Sequence, residues 1–250
     1  VLMFGTPNQG SFGSFDALLN GYGLWAGRKV PFFDNLRNDE VFAIPSSFQL
    51  IPHQESARFF DENLTPIKVD IYDPKIWFKY GWGALTEPKF LGKLKDAARL
   101  AKKNPEIKPQ KLGKNAGLDD RLVSQTTYAQ AYAYFVSALN RAKRFHRALN
   151  VPVTKMPFEM HAYGGNCDAT LDGAVLVYDE KKKRWETIFD PRDIKTSAGT
   201  EIKKDAVKAA LIVMGDNRVT PASMLAATPT TINGKIEFTN GIFPVRSSLF

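Results

Sequence analysis

The chain has 250 residues, 44% of them hydrophobic and 24% charged, enough apolar material for one large domain or for a core with a smaller lobe. The net charge of +8 permits an anionic partner, but no zinc-ligand spacing, RNA-recognition signature or Gly-rich phosphate loop accompanies it, so no nucleic acid is expected. No run of about 18 apolar residues occurs, which excludes a helical membrane span, and the single Cys167 excludes an internal disulfide or a cysteine-built metal cluster. One cysteine favours a cytoplasmic setting, although a secreted enzyme without disulfides would look the same.

Val1-Leu2-Met3-Phe4 reads as a buried strand already under way, and Pro244 to Phe250 stops without a helix or polar tail. Both ends are therefore expected to be cut from a longer protein. An apolar strand running into the Gly-, Pro- and Ser-rich stretch 5–15 is typical of a parallel sheet buried on both faces. Loops at the carboxyl ends of such strands are where α/β proteins keep their sites. Thr6-Pro7 fixes the exit from the strand, and Gly10 lets the loop pass close to a ligand or, alternatively, simply closes a tight turn. Ser11 and Ser14 read as loop or cap residues. Gln9-Gly10-Ser11-Phe12-Gly13 lacks the first glycine of a nucleophile elbow, and no other stretch fits Gly-x-Ser-x-Gly.

From residue 16 to 150, short helical patterns, aromatics and lysines replace strands. Ile44 to Pro52 contains a Pro-Ser start and an apolar pair, and Tyr72-Asp73-Pro74 runs into Trp77, Phe78, Tyr80 and Trp82. Such a ring cluster either fills a core or lines an apolar pocket. Between Glu87 and Lys114, nine basic residues stand against three acidic ones, which is most of the chain's positive excess. Phe90, Leu94, Ala97, Ala98 and Ala101 recur there at helical spacing up to Asn104-Pro105, predicting an amphipathic basic helix. It can lie on an anionic membrane surface or form a solvated outer face. Ser124 to Asn150 is the clearest helix, with Tyr128, Tyr132, Phe135, Val136, Leu139, Ala142, His146 and Leu149 on one stripe. His146 reads as a core-edge or capping histidine, not a catalytic base.

The sheet pattern returns at Met156 to Asn166, a strand running into Gly164-Gly165, and Ala174–Tyr178 with Arg184 to Asp190 predict a hairpin. A polar insert, Arg192 to Lys204, leads to Ala209–Met214, read as an apolar strand feeding the corner Gly215-Asp216. Thr220-Pro221 then opens a helix in the N-cap and N1 positions. Taken alone, Asp216 is a turn residue that bonds its own backbone.

The strings Gly5-Thr6-Pro7-Asn8-Gln9-Gly10-Ser11, Pro45 to Pro52, Tyr72 to Gly83 and Gly215-Asp216-Asn217-Arg218-Val219-Thr220, in this order, resemble α/β-hydrolases of the lecithin:cholesterol acyltransferase type. Tyr163-Gly164-Gly165-Asn166 departs from that family's Tyr-Gly-x-Gly. The resemblance implies an α/β fold, a partial α/β-hydrolase sheet with an inserted helical lid and a β-hairpin insert. Residues 1–17 and 151–250 would form the core, and 18–150 the lid. It implies a serine-dependent acyl-ester hydrolase or acyltransferase acting on lipid-like esters without a cofactor or metal. Asp216 is the triad acid, and Thr6, Phe12, Trp77 and Trp82 are the candidate substrate-binding residues. His53, His146 and His161 all precede Asp216, so the resemblance puts the histidine beyond Phe250 and the serine before Val1. The alternative is a non-catalytic lipid or membrane-surface binding protein on the same scaffold. The acyl acceptor, the acyl chain and the oligomeric state stay open.

Overall fold

The computed structural model describes residues 1–23, 35–103, 127–151, 157–232, 235–239 and 245–249. The later part of the predicted basic stretch, the predicted helix start at Ser124, and Met156 lie outside the described residues. The chain begins with β1 (Leu2–Phe4), α1 (Phe12–Asn20), β2 (Tyr22–Gly23), β3 (Asn35–Leu36), α2 (Asn38–Phe42) and α3 (Pro45–Gln49). It continues through β4 (Phe59–Phe60), β5 (Pro66–Ile67), α4 (Pro74–Tyr80), α5 (Pro88–Lys103) and α6 (Tyr128–Leu149). After these come β6 (Met160–Gly164), β7 (Asp168–Leu171), β8 (Ala174–Asp179), β9 (Arg184–Ile188), β10 (Ile194–Lys195) and β11 (Glu201–Ile202). The last elements are α7 (Lys204–Leu211), β12 (Ile212–Gly215), α8 (Pro221–Leu225), β13 (Thr228–Ile232), β14 (Lys235–Thr239) and β15 (Val245–Leu249).

These elements make a mixed α/β structure with several small sheets. β6 lies in the middle of a parallel sheet, with β1 on one side in the register Leu2↔His161 and β15 on the other in the register Leu249↔Gly164. A four-stranded sheet has the order β5-β4-β8-β9, in which β8 and β9 form the predicted hairpin and β4 runs parallel to β8. β12 pairs antiparallel with β7. Among the described residues no helix is long and apolar enough to cross a membrane.

Local chemistry sets the helix starts. The Thr127 hydroxyl accepts from Gln130 N at 3.2 Å and the Gln130 side chain accepts from Thr127 N at 2.8 Å, a reciprocal capping box at the head of α6. Thr127→Ala is expected to cost about 1 kcal/mol in a urea melt, with Thr127→Ser restoring most of it. The buried stripe of α6 is Ala131, Phe135, Ala138, Leu139, Ala142 and His146. Tyr128 and Tyr132, expected on that stripe, are exposed at the head of the helix, where their rings stack on each other.

The main core is an aromatic box. Phe15 meets the edges or faces of Phe59, Trp77 and Trp82 with ring centroids 5.8, 5.7 and 4.9 Å apart, and Phe42, Phe48 and Phe135 extend the cluster. Each buried indole N–H has an acceptor, Trp77 on the Ile71 carbonyl and Trp82 on Thr187 Oγ1, both at 2.7 Å. Segment 18–150 thus shares one core with α1 and the β8–β9 hairpin, and among its described residues it carries four short strands, β2 to β5, besides its helices.

Two local readings need correction. Leu2 and Phe4 of the expected fully buried strand are 61% and 70% exposed, because β1 is an edge strand paired among the described residues only with β6. The stretch read as a strand from Ala209 to Met214 is helical through Leu211. Val207 and Leu211, four residues apart, are both fully buried, so a helical period outweighs the apolar run of strand length.

Candidate active site around Asp216

The loop after β1 is held from two sides. Gly5 N donates to the Tyr163 carbonyl at 2.8 Å, which ties the loop to the end of β6. Gly10 has φ +74°, and a Cβ there would stand 2.1 Å from the Ile51 carbonyl oxygen, so only glycine lets the two backbones meet. Ser11 N donates to the Leu50 carbonyl at 2.9 Å and His53 N donates to the Gln9 carbonyl at 3.0 Å. From the other side, Asn8 Nδ2 donates to the Met224 carbonyl at 2.6 Å and the Ser223 hydroxyl donates to the Gly10 carbonyl at 2.5 Å. Ser11 caps α1, accepting from Ser14 N at 3.1 Å, as its position in the loop predicts.

Asp216 is half-buried at the corner following β12. One carboxylate oxygen, Oδ1, accepts from Arg218 N at 2.9 Å and Val219 N at 2.6 Å, the backbone bonding expected of a turn aspartate. The other faces the β1 exit: a Cβ on Gly5 would lie 2.7 Å from Oδ2. Gly5 has φ +53°, and its missing side chain leaves the room that this approach needs. Behind the corner, Thr170 Oγ1 accepts from Asn217 N at 2.8 Å. The Gly5–Ser11 and Gly215–Thr220 strings, more than 200 residues apart in the chain, meet at the carboxyl ends of the parallel strands. Thr220 accepts from Ser223 N at 3.2 Å as the N-cap of α8, with Pro221 at the first helical position, as predicted.

The other predicted substrate-binding residues fall in different places. Thr6 is half-buried beside Gly5. Phe12, Trp77 and Trp82 are at most 2% exposed and belong to the aromatic box, whereas Val219 and Met224 beside the corner belong to a separate cluster with Ala162 and Met3. The three rings pack the core and present no open face at Asp216.

None of the three histidines serves the corner. His161 lies on β6 with Nε2 3.3 Å from Glu159. His53 and His146 are buried and stacked face to face, with ring centroids 3.7 Å apart and planes 6° from parallel. His146 Nε2 donates to the Gln49 carbonyl at 2.9 Å, so its Nδ1 carries the lone pair that accepts from the Tyr72 hydroxyl at 2.7 Å. Both rings sit where the neutral form is favoured. Burial, the adjoining His146 ring adding to it, pushes His53 down to about 3, and burial lowers His146 as well. The sequence places His146 on an apolar stripe but carries no signal for its pairing with His53.

An open groove of about 1360 Å³ lies away from this corner, between the end of α4 and the β8–β9 hairpin. Its walls include Tyr80, Trp185, Arg184 and Lys79, whose Nζ stands 4.8 and 5.4 Å from the Tyr80 and Trp185 ring centres. Neither Gly5 nor Asp216 lines it, and size alone does not outweigh the chemistry gathered at the corner. Among the described residues no group of three or more His, Cys, Asp or Glu could hold a metal ion. Comparison with known proteins finds no matching family model, no matching curated protein and no matching solved structure.

Proposed function

We propose that the intact protein is a serine-dependent acyl-ester hydrolase or acyltransferase acting on lipid-like esters, with Asp216 as the acid of a Ser-His-Asp triad. The observation that carries this reading is the seat of Asp216 Oδ2 against Gly5, at the carboxyl rim of the parallel sheet. Such a carboxylate can hold the Nδ1–H of an imidazole, fix its tautomer and stabilise the imidazolium that forms as the serine attacks. The two backbone N–H groups on Oδ1 hold the carboxyl plane while leaving Oδ2 for that role. β15 supports the same arrangement. It runs parallel to β6, and its last residue, Leu249, is level with Gly164, at the rim where Asp216 sits. The serine would come from before Val1 and the histidine from soon after Phe250. Lipid-like substrates are inferred from the basic character of α5, the element that would meet a lipid surface.

The test is turnover of esters of graded acyl length by the full-length protein and its Asp216→Asn variant. Loss of turnover by orders of magnitude in a folded variant is the expected result. An unchanged rate overturns the triad role, and absence of ester turnover in the parent itself leaves a lipid or membrane-surface binder on the same scaffold.

A further inference from the structure

Asp172 stands between β7 and β8, is only 7% exposed, and plays no part in the chemistry above. Its contacts run to three parts of the chain. Its backbone N–H donates to the Leu211 carbonyl at 2.7 Å, at the start of the strand that leads to Asp216. Its carboxylate lies near the hydroxyl of Thr220, which caps the helix just after the corner. The same carboxylate is ion-paired with Arg58 Nη1 from the inserted segment. Arg58 is itself anchored: its guanidinium lies 5.4 Å from the Phe60 ring centre and its carbonyl accepts from Ala174 N at 3.1 Å. Asp172 is therefore bonded to one foot of segment 212–219 and stands beside the other.

We propose that Asp172 is a positioning residue for Asp216, and that Arg58 makes this positioning depend on how the inserted segment is docked. A buried carboxylate is tolerated when it is paired and hydrogen-bonded, and is costly when its cation leaves. Withdrawal of Arg58 drives the Asp172 carboxylate towards water, which takes the Thr220 foot with it and loosens the corner between Leu211 and Thr220. The kinetic consequence rests on the reading of Asp216 as triad acid; the fastening of the corner does not.

The experiment is hydrogen exchange on the full-length protein and its Asp172→Asn and Arg58→Met variants, alongside steady-state ester turnover. The amides of Asn217, Arg218 and Val219 are expected to exchange about tenfold faster or more, while those of β8 and β9 stay as in the parent. kcat should fall with KM little changed, and Arg58→Lys, which keeps the charge, should recover part of both effects. Exchange that rises equally in the corner and the hairpin, or in neither, overturns the proposal. Should Asp172→Asn fail to fold, the Arg58→Met and Arg58→Lys pair decides by the same readout. Selective loosening with undiminished turnover keeps the clamp and removes the triad role of Asp216. Loss of turnover in Asp216→Asn without selective loosening in the clamp variants does the reverse.

Discussion

Asp216→Asn in the full-length protein is expected to lower kcat for ester cleavage about 10⁴-fold with little change in KM. The size follows from what the substitution alters and what it keeps. An asparagine Oδ1 still accepts from Arg218 N and Val219 N, so the turn that seats the residue survives and the melting transition should stay within about 0.5 kcal/mol of the parent. What changes is the group facing Gly5. An amide NH₂ in the place of Oδ2 donates where a carboxylate accepts, so it stabilises the imidazole tautomer that cannot take the serine proton, and it offers no charge to the imidazolium. KM is expected to be spared because the proposed role of this oxygen is to hold the imidazole and not the acyl chain. Circular dichroism with steady-state kinetics checks both halves, and a variant that turns over ester at the parental rate excludes the assignment.

Acid is expected to destabilise the fold well before its carboxylates titrate. Above pH 6.5 both the folded and the unfolded chain hold His53 neutral, and the residue has no influence on the pH dependence. Below that value the unfolded chain takes up a proton, while the folded protein refuses it until about pH 3. Stability therefore falls as pH drops across this window, by about 2 kcal/mol between pH 7 and pH 5 from His53 alone. His146 is shifted in the same direction and adds to the loss. The physical cause is visible in the contacts. His53 Nε2 is buried without an acceptor for a new proton, the second ring is stacked 3.7 Å away, and Lys143 Nζ already lies 5.5 Å from the Tyr72 ring centre. Asp172 opposes the trend, since burial raises its carboxyl and lets the folded state take a proton earlier. Urea midpoints at pH 7, 6 and 5 measure the slope. His53→Phe keeps a stacking ring without a titrating nitrogen and should flatten it, whereas equal slopes in parent and variant would show that the stack does not carry the effect.

Much of this protein is written locally in its sequence. The capping box at Thr127, the Thr220-Pro221 helix start, the Ser11 cap and the hairpin from Ala174 to Ile188 depend on residues a few positions apart, and all form as their residues dictate. The turn bonding of Asp216 belongs with them. Readings that needed a partner from far along the chain fared differently. Ala209 to Met214 has the apolar run of a strand, but helical burial of Val207 and Leu211 against the second core takes its first half. Phe12, Trp77 and Trp82 are rings that could line a site or fill a core, and only their convergence on Phe15 sends them inward.

The approach of Gly5 to Asp216, the His53–His146 stack and the Arg58–Asp172 ion pair lie wholly on the tertiary side. Their members are 93 to 211 residues apart. By itself the sequence determined the cap that opens α8, which stretches formed the hairpin, and which carboxylate stood at a corner. The tertiary structure decided which side chains are buried and what faces that carboxylate, because burial and electrostatic environment depend on neighbours that only chain folding brings within reach.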